Sequence, residues 1–339
     1  MISLFVRDVS TGDVFQLPFN NITIIDELNV GRSARVSLEF RAVDEIARYY
    51  NTDILFIFTG GLRELFVEKD GVKIYLGVIT DFDINKDNKG SIAFNIASVG
   101  FFSVLAKRRT SSKRLFVNTD AGLIAWTLID ESQNSDLPYS DLGITQGIIQ
   151  SSVNRDRTFR FANIKLEITQ LSNNNLKNGF DFDIDNSKVF NVFFPFKGSN
   201  RDNIVLDEQN ILSWGMRKPL VLSLTNKTYV LGEGFNDDVL FVTRVSPNEF
   251  KATFKLLEEV LSERNIKTTD TLNDKGDKFL LDNQSPILGL TITHLDGQPD
   301  ILSYEVGDSL KFCIEELGLE NIFKRVFRKG FASFAILPL

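Results

Sequence analysis

Three acidic residues two apart, Asp181, Asp183 and Asp185, form the arrangement in this sequence that looks most like a metal site. Spaced this way on a strand they share one face, and the run superficially resembles the start of a calcium loop. The glycine and closing glutamate that such a loop needs at fixed offsets are missing, and Phe182 and Ile184 fill the gaps. The reading taken is therefore the outward polar face of an amphipathic strand, with calcium or a carboxylate pair for glycoside hydrolysis as alternatives. Sequence spacing alone does not set the carboxylate separation that hydrolysis requires.

Other chemistry is limited by what the chain lacks. His294 is its only histidine and Cys313 its only cysteine. A Ser-His-Asp arrangement would have to use His294, zinc would need ligands the chain does not own, and an intrachain disulfide is excluded. His294 is expected on the outer face of a strand running into an Asp-Gly turn. Cys313, inside Leu310 to Ile314, is expected to be a buried, inert thiol, since no basic or histidine neighbour is visible to activate it. Gly60-Gly61 and Gly232-Glu233-Gly234 lack the lysine or third glycine of a phosphate loop and read as tight turns. No catalytic, cofactor-binding or metal-binding residue is assigned, and the chain is not expected to be an enzyme.

The 38 Lys and Arg against 45 Asp and Glu give a net charge of -7, so there is no global attraction to nucleic acid or anionic lipid. One short basic run, Lys107-Arg108-Arg109 with Lys113-Arg114, reads as a solvated linker, with a charged partner as the alternative. No apolar run approaches the length of a membrane span and the first residues lack a secretion signal, so no stable membrane insertion is expected.

These residues have to be positioned by strands. Alternation and turns predict a hairpin from Ile2 to Val6 and Val14 to Leu17 across Ser10 to Asp13. Further strands are predicted at Asn21 to Ile25, Ala34 to Phe40, Ile54 to Phe58, Arg63 to Glu68, Val72 to Thr80 and Ser91 to Ser98. A short helix is predicted at Ala42 to Tyr50, and Gly77 marks a bulge or a close backbone approach. Helical spacing follows at Gly100 to Lys107 and again at Ala121 to Glu131. The second helix is capped by Thr119-Asp120 and expected to bury Leu123, Trp126, Thr127 and Ile129-Asp130. A loop from Ser132 to Asp141 precedes Phe159 to Ile168, predicted to carry a strand into a helix through Leu171. A hairpin then pairs Gly179 to Asp185 with Val189 to Phe194. Strands are predicted at Asn203 to Asp207, Leu220 to Leu224, Thr228 to Leu231 and Val239 to Arg244. Helical spacing follows from Phe250 to Arg264, then a second helix or loop at Thr271 to Leu281. The last predicted strands are Pro286 to His294, Ile301 to Val306, Ser309 to Glu316 and Asn321 to Phe327, before the apolar run Phe331 to Leu339.

The run Gly71 to Asp81, followed by Asp83 to Ser98 and Gly100 to Arg109, resembles the central tail-hub and tail-tip (baseplate hub) proteins of tailed bacteriophages. There the segment looks like a strand with a mid-strand glycine, a hairpin, a further strand and a short helix ending in basic residues. Glu305-Val306-Gly307-Asp308-Ser309-Leu310 resembles the Gly-Asp turn of the family's second barrel, and Thr243-Arg244-Val245 with Phe250 to Arg264 looks like its insertion.

The resemblance implies a mainly β fold with α/β insertions: two similar small β-barrels joined by a mixed α/β region. The divisions would be 1–112 and 198–339 for the barrels, 113–197 for the connection, and a helical insertion at about 248–284. It implies a homotrimeric ring that closes the tail tube, adapts sixfold tube symmetry to a threefold tip, and leaves a channel for DNA. Implied partners are a tail tube or distal-tail ring protein, a tape measure protein, and tip or fibre proteins, with transient passage of phage DNA. The implied location is the virion's tail tip or baseplate, after synthesis in the host cytoplasm. A distal-tail ring subunit or receptor-binding baseplate component is the alternative. No appended peptidase or carbohydrate-binding extension is visible before Leu339, so host recognition or wall cleavage is expected of a partner.

Overall fold

The computed structural model describes residues 1–49, 53, 57–58, 63–134, 140–172, 179–217, 224–234, 238–246, 256–263, 266, 268–283, 289–295, 297–317, 319–326 and 328–334. Its first part is built on β1 (Ile2–Asp8), β2 (Val14–Leu17), β3 (Phe19–Glu27), β4 (Gly31–Leu38), β5 (Arg63–Lys69), β6 (Val72–Lys86) and β7 (Ile92–Val99), with α1 (Phe40–Tyr49) after β4. The turns follow from local chemistry. Asp70 and Gly71 both take positive φ, 51° and 80°, which the tight two-residue hairpin between β5 and β6 requires. Alternate side chains then line one face, where Leu4, Val6, Ile22, Val36, Leu65, Val67, Phe94 and Ile96 are buried with Val43 and Ala47 of α1. Gly77 is a close approach: a Cβ there would meet the Val99 carbonyl oxygen at 2.5 Å and the Tyr75 hydroxyl at 2.3 Å.

The second core joins α2 (Phe101–Val104), β8 (Arg114–Asp120), α3 (Ala121–Gln133), β9 (Thr145–Ile149), β10 (Asn154–Phe159), α4 (Ile164–Ser172), β11 (Asp181–Ile184) and β12 (Val189–Phe193). Asp120 caps α3, accepting from the backbone N–H groups of Gly122 at 2.9 Å and Leu123 at 3.1 Å. The buried face of α3 differs from the expected stripe. It carries Ala121, Ile124, Ala125, Leu128 and Ile129, while Leu123 is exposed. A sequence of mixed apolar residues permits several stripes, and Gly122 lets this one approach the strands: a Cβ there would meet Val192 Cγ1 at 2.9 Å and Ile149 Cγ2 at 3.2 Å. Trp126 is half-buried and stacked against Phe190, with ring centroids 6.4 Å apart.

The third part holds β13 (Asn200–Leu206), β14 (Ile211–Arg217), β15 (Lys227–Leu231), β16 (Phe241–Val245), β17 (Glu258–Ser262), α5 (Thr269–Asn283), β18 (Gly289–His294), β19 (Ser309–Ile314) and β20 (Leu319–Arg325). A last strand, β21 (Arg328–Phe334), leaves this region and pairs antiparallel with β3, Phe331 opposite Ile24.

The two expected β-barrels are not formed. The first sheet has eight strands in the order β2-β1-β5-β6-β7-β4-β3-β21, and its end strands β2 and β21 are not paired, so the sheet stays open. In the third part the strands separate into β13-β19-β20, β14-β18 and β16-β15-β17. The β13 and β19 pair is parallel, as is β15 with β17. Alternation with short turns specifies strands and their faces; closure also needs a matched tilt and stagger around the ring of strands, which alternation does not encode. The fold is mixed α/β with several antiparallel sheets and no closed sheet among the described residues.

Two local expectations also fail. Glu258 to Ser262, read with helical spacing, is a strand held in parallel register with β15, Val260 beside Tyr229; the rest of Phe250 to Arg264 is outside the described residues apart from 256, 257 and 263. Ile301 to Val306 forms turns instead of a strand. Ile57 and Phe58 are buried but not in a strand, and 54–56 lie outside the described residues, as do Gly60-Gly61, 135–139, 218–223, 284–288 and 335–339.

Candidate functional site

The described charges converge where the three parts meet. Asp181 opens β11 and is only 3% exposed. Its carboxylate accepts from Asn29 Nδ2 at 2.9 Å, from the backbone N–H of Lys197 at 2.6 Å, and from the Arg325 guanidinium. Asn29 sits in the β3–β4 turn at φ 60°, and its side-chain oxygen also accepts from the Phe182 N–H at 2.8 Å. One asparagine thus fastens the first sheet to β11. Arg325 ends β20 and also donates to the carbonyl oxygens of Gly307 at 3.1 Å and Lys197 at 3.0 Å.

Around this pair lies a second layer. Lys197 Nζ contacts Asp183 at 2.5 Å and Glu305 at 3.1 Å. Burial disfavours its ammonium, but those two carboxylates outweigh burial and hold its pKa above the ordinary lysine range. Asp308, 1% exposed, accepts from the N–H of Ser199 at 2.9 Å, from Arg201 Nε at 2.8 Å and from the N–H of Glu305 at 3.0 Å. Burial pushes its pKa up, yet the two N–H groups and Arg201 together push it further down, below the ordinary aspartate value.

Three more links reach the first sheet. Glu64, almost fully buried, is paired with Arg7 and, at 2.6 Å, with Lys188 of the β11–β12 turn. Lys69 meets Asp300 at 3.1 Å. Lys329 on β21 donates to the carbonyl oxygens of Ile301 and Tyr304, the latter at 2.6 Å, and lies 4.4 Å from the centre of the Tyr304 ring. Burial pushes the Lys329 pKa down to about 8, with nearby Arg32 adding to the shift and Asp26, Glu305 and Asp308 opposing it.

The acidic run is therefore split by the fold. Asp181 is buried in the joint, Asp183 pairs with Lys197 and Asn191, and Asp185 accepts from the N–H groups of Ser187 and Val189 in the hairpin turn. The expected outward face misses the burial of Asp181, because Lys197 and Arg325 arrive from segments distant in sequence. Among the described residues no group of three or more His, Cys, Asp or Glu is placed to hold a metal ion.

His294 ends β18, as expected of its segment. Its ring nitrogens meet the Leu295 carbonyl oxygen at 2.8 Å and the Tyr304 hydroxyl at 3.0 Å; burial pushes the Tyr304 pKa up to about 12. Cys313 lies in β19 and is half-buried, on the face opposite Leu310, Phe312 and Ile314. Gly232 to Gly234 form a turn in which Gly232 N–H donates to the Leu240 carbonyl oxygen at 2.6 Å. The basic run is partly structural: Arg108 donates to the carbonyl oxygens of Ser132 and Ser140, and Arg114 pairs with Glu131 at 2.7 Å. No helix among the described residues is long and apolar enough to cross a membrane.

No protein-family model matches the sequence, and no curated protein matches it. Solved structures do match over nearly the whole chain. A tail protein from Neisseria meningitidis MC58 is 12% identical with a TM-score of 0.67, the alignment covering 98% of this chain and 92% of that one. This chain has the fold of a phage tail protein. The 43 kDa tail protein of prophage MuSo2 from Shewanella oneidensis gives the same TM-score of 0.67 at 13% identity, covering 98% and 94%. The prophage tail protein gp18 from Listeria monocytogenes EGD-e gives 0.59 at 14% identity, covering 97% and 90%. The likeness in fold accordingly spans nearly the whole of this chain. Of the joint, the sequence marks Glu305 to Asp308 as a turn and singles out Asp181 and Asp183 without their partners; Lys197-Gly198, a charged residue beside a glycine in the same way, is a usable signal for the counterpart of that turn.

Proposed function

We propose that this chain is a structural tail-hub subunit, three copies of which close a ring at the end of a phage tail tube. The observation that carries the reading is the match to tail proteins over 98% of the chain at 12% identity, a fold retained where sequence is not. The polar joint supports it. A ring subunit has to hold its parts in fixed relation under load, and paired, hydrogen-bonded buried charges give directional contacts that a purely apolar interface lacks.

On this reading residues 1–112 and 198–339 are the two β-rich units, 113–197 is the connection, and about 248–284 is an insertion. Three copies place six β-rich units toward a sixfold tube and present threefold symmetry to the tip. The neighbours would be a tail tube or distal-tail ring protein, a tape measure protein, and tip or fibre proteins. DNA would pass through the ring without sticking to a chain of net charge -7. The location is the tail tip or baseplate of the virion, and the role involves no catalytic step. The test is the mass of the purified chain by light scattering together with its copy number in tails. A three-copy ring supports the hub; six equivalent copies would instead make it a distal-tail ring subunit.

A further inference from the structure

The fold ties down only part of the basic run between Lys107 and Arg114. Arg108 is held by backbone carbonyls and Arg114 by Glu131, but Lys107, Arg109 and Lys113 are exposed and pair with no carboxylate among the described residues. A second segment comes alongside. Arg114 is in register with Phe159, which sets Lys113 beside Arg160, and Arg109 bridges to Asn163. Arg160 is likewise exposed and pairs with no carboxylate among the described residues. The acids of these segments are engaged elsewhere: Glu131 by Arg114 at 2.7 Å and Asp156 by the Asn118 N–H at 2.6 Å, while Glu167 is half-buried. Four cations from two distant stretches thus share one surface of a chain whose net charge is -7.

Phe161 stands among them, 64% exposed, at φ 52°, a backbone conformation that bulky residues rarely adopt. The surroundings fix it there. The Thr110 N–H donates to the Ala162 carbonyl oxygen at 3.1 Å, and the Thr110 hydroxyl accepts from the Ala162 N–H at 3.0 Å. Asn163 Nδ2 donates to the Ala106 carbonyl oxygen at 2.9 Å, next to Lys107. Asn163 Oδ1 accepts from the Leu166 N–H at 3.2 Å, so Leu166, 58% exposed, starts α4 from the same turn. An aromatic and an aliphatic side chain are therefore kept in water between Arg160 with Lys113 on one side and Arg109 with Lys107 on the other.

The geometry points to a lipid-binding site on the membrane-facing surface of this turn: Lys107, Arg109, Lys113 and Arg160 meet the headgroups of an anionic bilayer, and Phe161 and Leu166 enter the boundary beneath them. Attraction of cations to anionic headgroups and removal of apolar side chains from water add together in interfacial binding, so such a surface matches both halves of the site. An unpaired nucleic-acid base matches less well, because Arg160 already lies 5.5 Å from the ring centre and Leu166 has no aromatic face to stack on. The attraction acts within a Debye length of the patch, and the negative charge spread over the rest of the chain does not cancel it. The site goes beyond the hub reading and does not depend on it.

Co-sedimentation of the full-length chain with vesicles tests this, using phosphatidylcholine alone and an equal mixture with phosphatidylglycerol. Binding is expected to the mixture only, and to weaken as salt is added. Lys113→Gln and Arg160→Gln each remove one charge and are expected to weaken binding about fivefold apiece. Glycine suits positive φ, so Phe161→Gly is expected to melt no lower than the parent and to bind at least about tenfold more weakly. Phe161→Trp is expected to keep binding, with an emission that moves to the blue on the mixed vesicles and is quenched by brominated acyl chains. Absence of binding, equal binding to both vesicle types, or variants that bind as the parent does would overturn the site. Binding to an oligonucleotide that Phe161→Gly abolishes, with none to vesicles, would make the patch a nucleic-acid surface and overturn it as well. None of these outcomes bears on copy number in tails, so the hub reading stands or falls separately.

Discussion

Gly198 and Gly307 lie back to back at the joint: a Cβ built on Gly198 would stand 2.3 Å from the carbonyl carbon of Gly307. Both have positive φ, 93° and 104°. Gly198→Ala therefore meets backbone as well as an unfavourable φ, and neither neighbour is a side chain that can swing aside. The substitution is expected to destabilise the chain by about 2 to 4 kcal/mol, measured by urea unfolding. An unchanged midpoint would mean that the two segments do not meet as described.

Asp181→Ala strands the Arg325 guanidinium and the Lys197 N–H in a poorly solvated place. The expected loss is about 3 to 5 kcal/mol. A double variant, Asp181→Ala with Arg325→Met, is expected to recover part of it, because removing both partners leaves no uncompensated charge. A double variant as unstable as the sum of the singles would argue against the pairing.

Asp308 contributes to the acid limb, as Asp8 and Asp300 do, whose pKa values are also lowered. Its folded pKa lies below its unfolded one, so its contribution is complete above the unfolded value, about 4, and is lost as pH falls through the folded value. Melting curves from pH 6 downward are expected to steepen below about pH 4, and less so in Asp308→Asn, which has no carboxylate to protonate.

The joint was only partly legible in the sequence, and the reason is physical. Local chemistry announces itself: Asp70-Gly71 makes its hairpin, Asp120 caps its helix, and the Asp185 turn closes β11 on β12 as read. Asp181 looked like a surface residue because alternation assigns faces within one strand and cannot see Lys197, Arg325 or Asn29 arriving from elsewhere. The same limit hid the pairing of β21 with β3 and the parallel register that makes Glu258 to Ser262 a strand. The barrels that the family resemblance implies fail for a related reason: whether the rims of a sheet pair is decided between residues hundreds of positions apart, here β2 and β21.

Lys329 sets the opposite limb. Its folded pKa, about 8, is below the ordinary lysine value of 10.5, so the unfolded chain binds more protons between those values and stability rises with pH across them. The melting temperature is expected to gain from this group between about pH 8 and 10, and Lys329→Met is expected to remove that gain. An identical slope in the variant would mean that the amine keeps its proton, held by the Ile301 and Tyr304 carbonyl oxygens.

We propose a chain that closes a ring at the end of a tail, and its symmetry is directly measurable. Averaged end-on images of tails containing it, with the chain marked by a bound antibody fragment, measure symmetry and copy number together. The hub account predicts three copies in a closed ring beneath a sixfold tube. Six equivalent copies, or a chain absent from the tail, would contradict it.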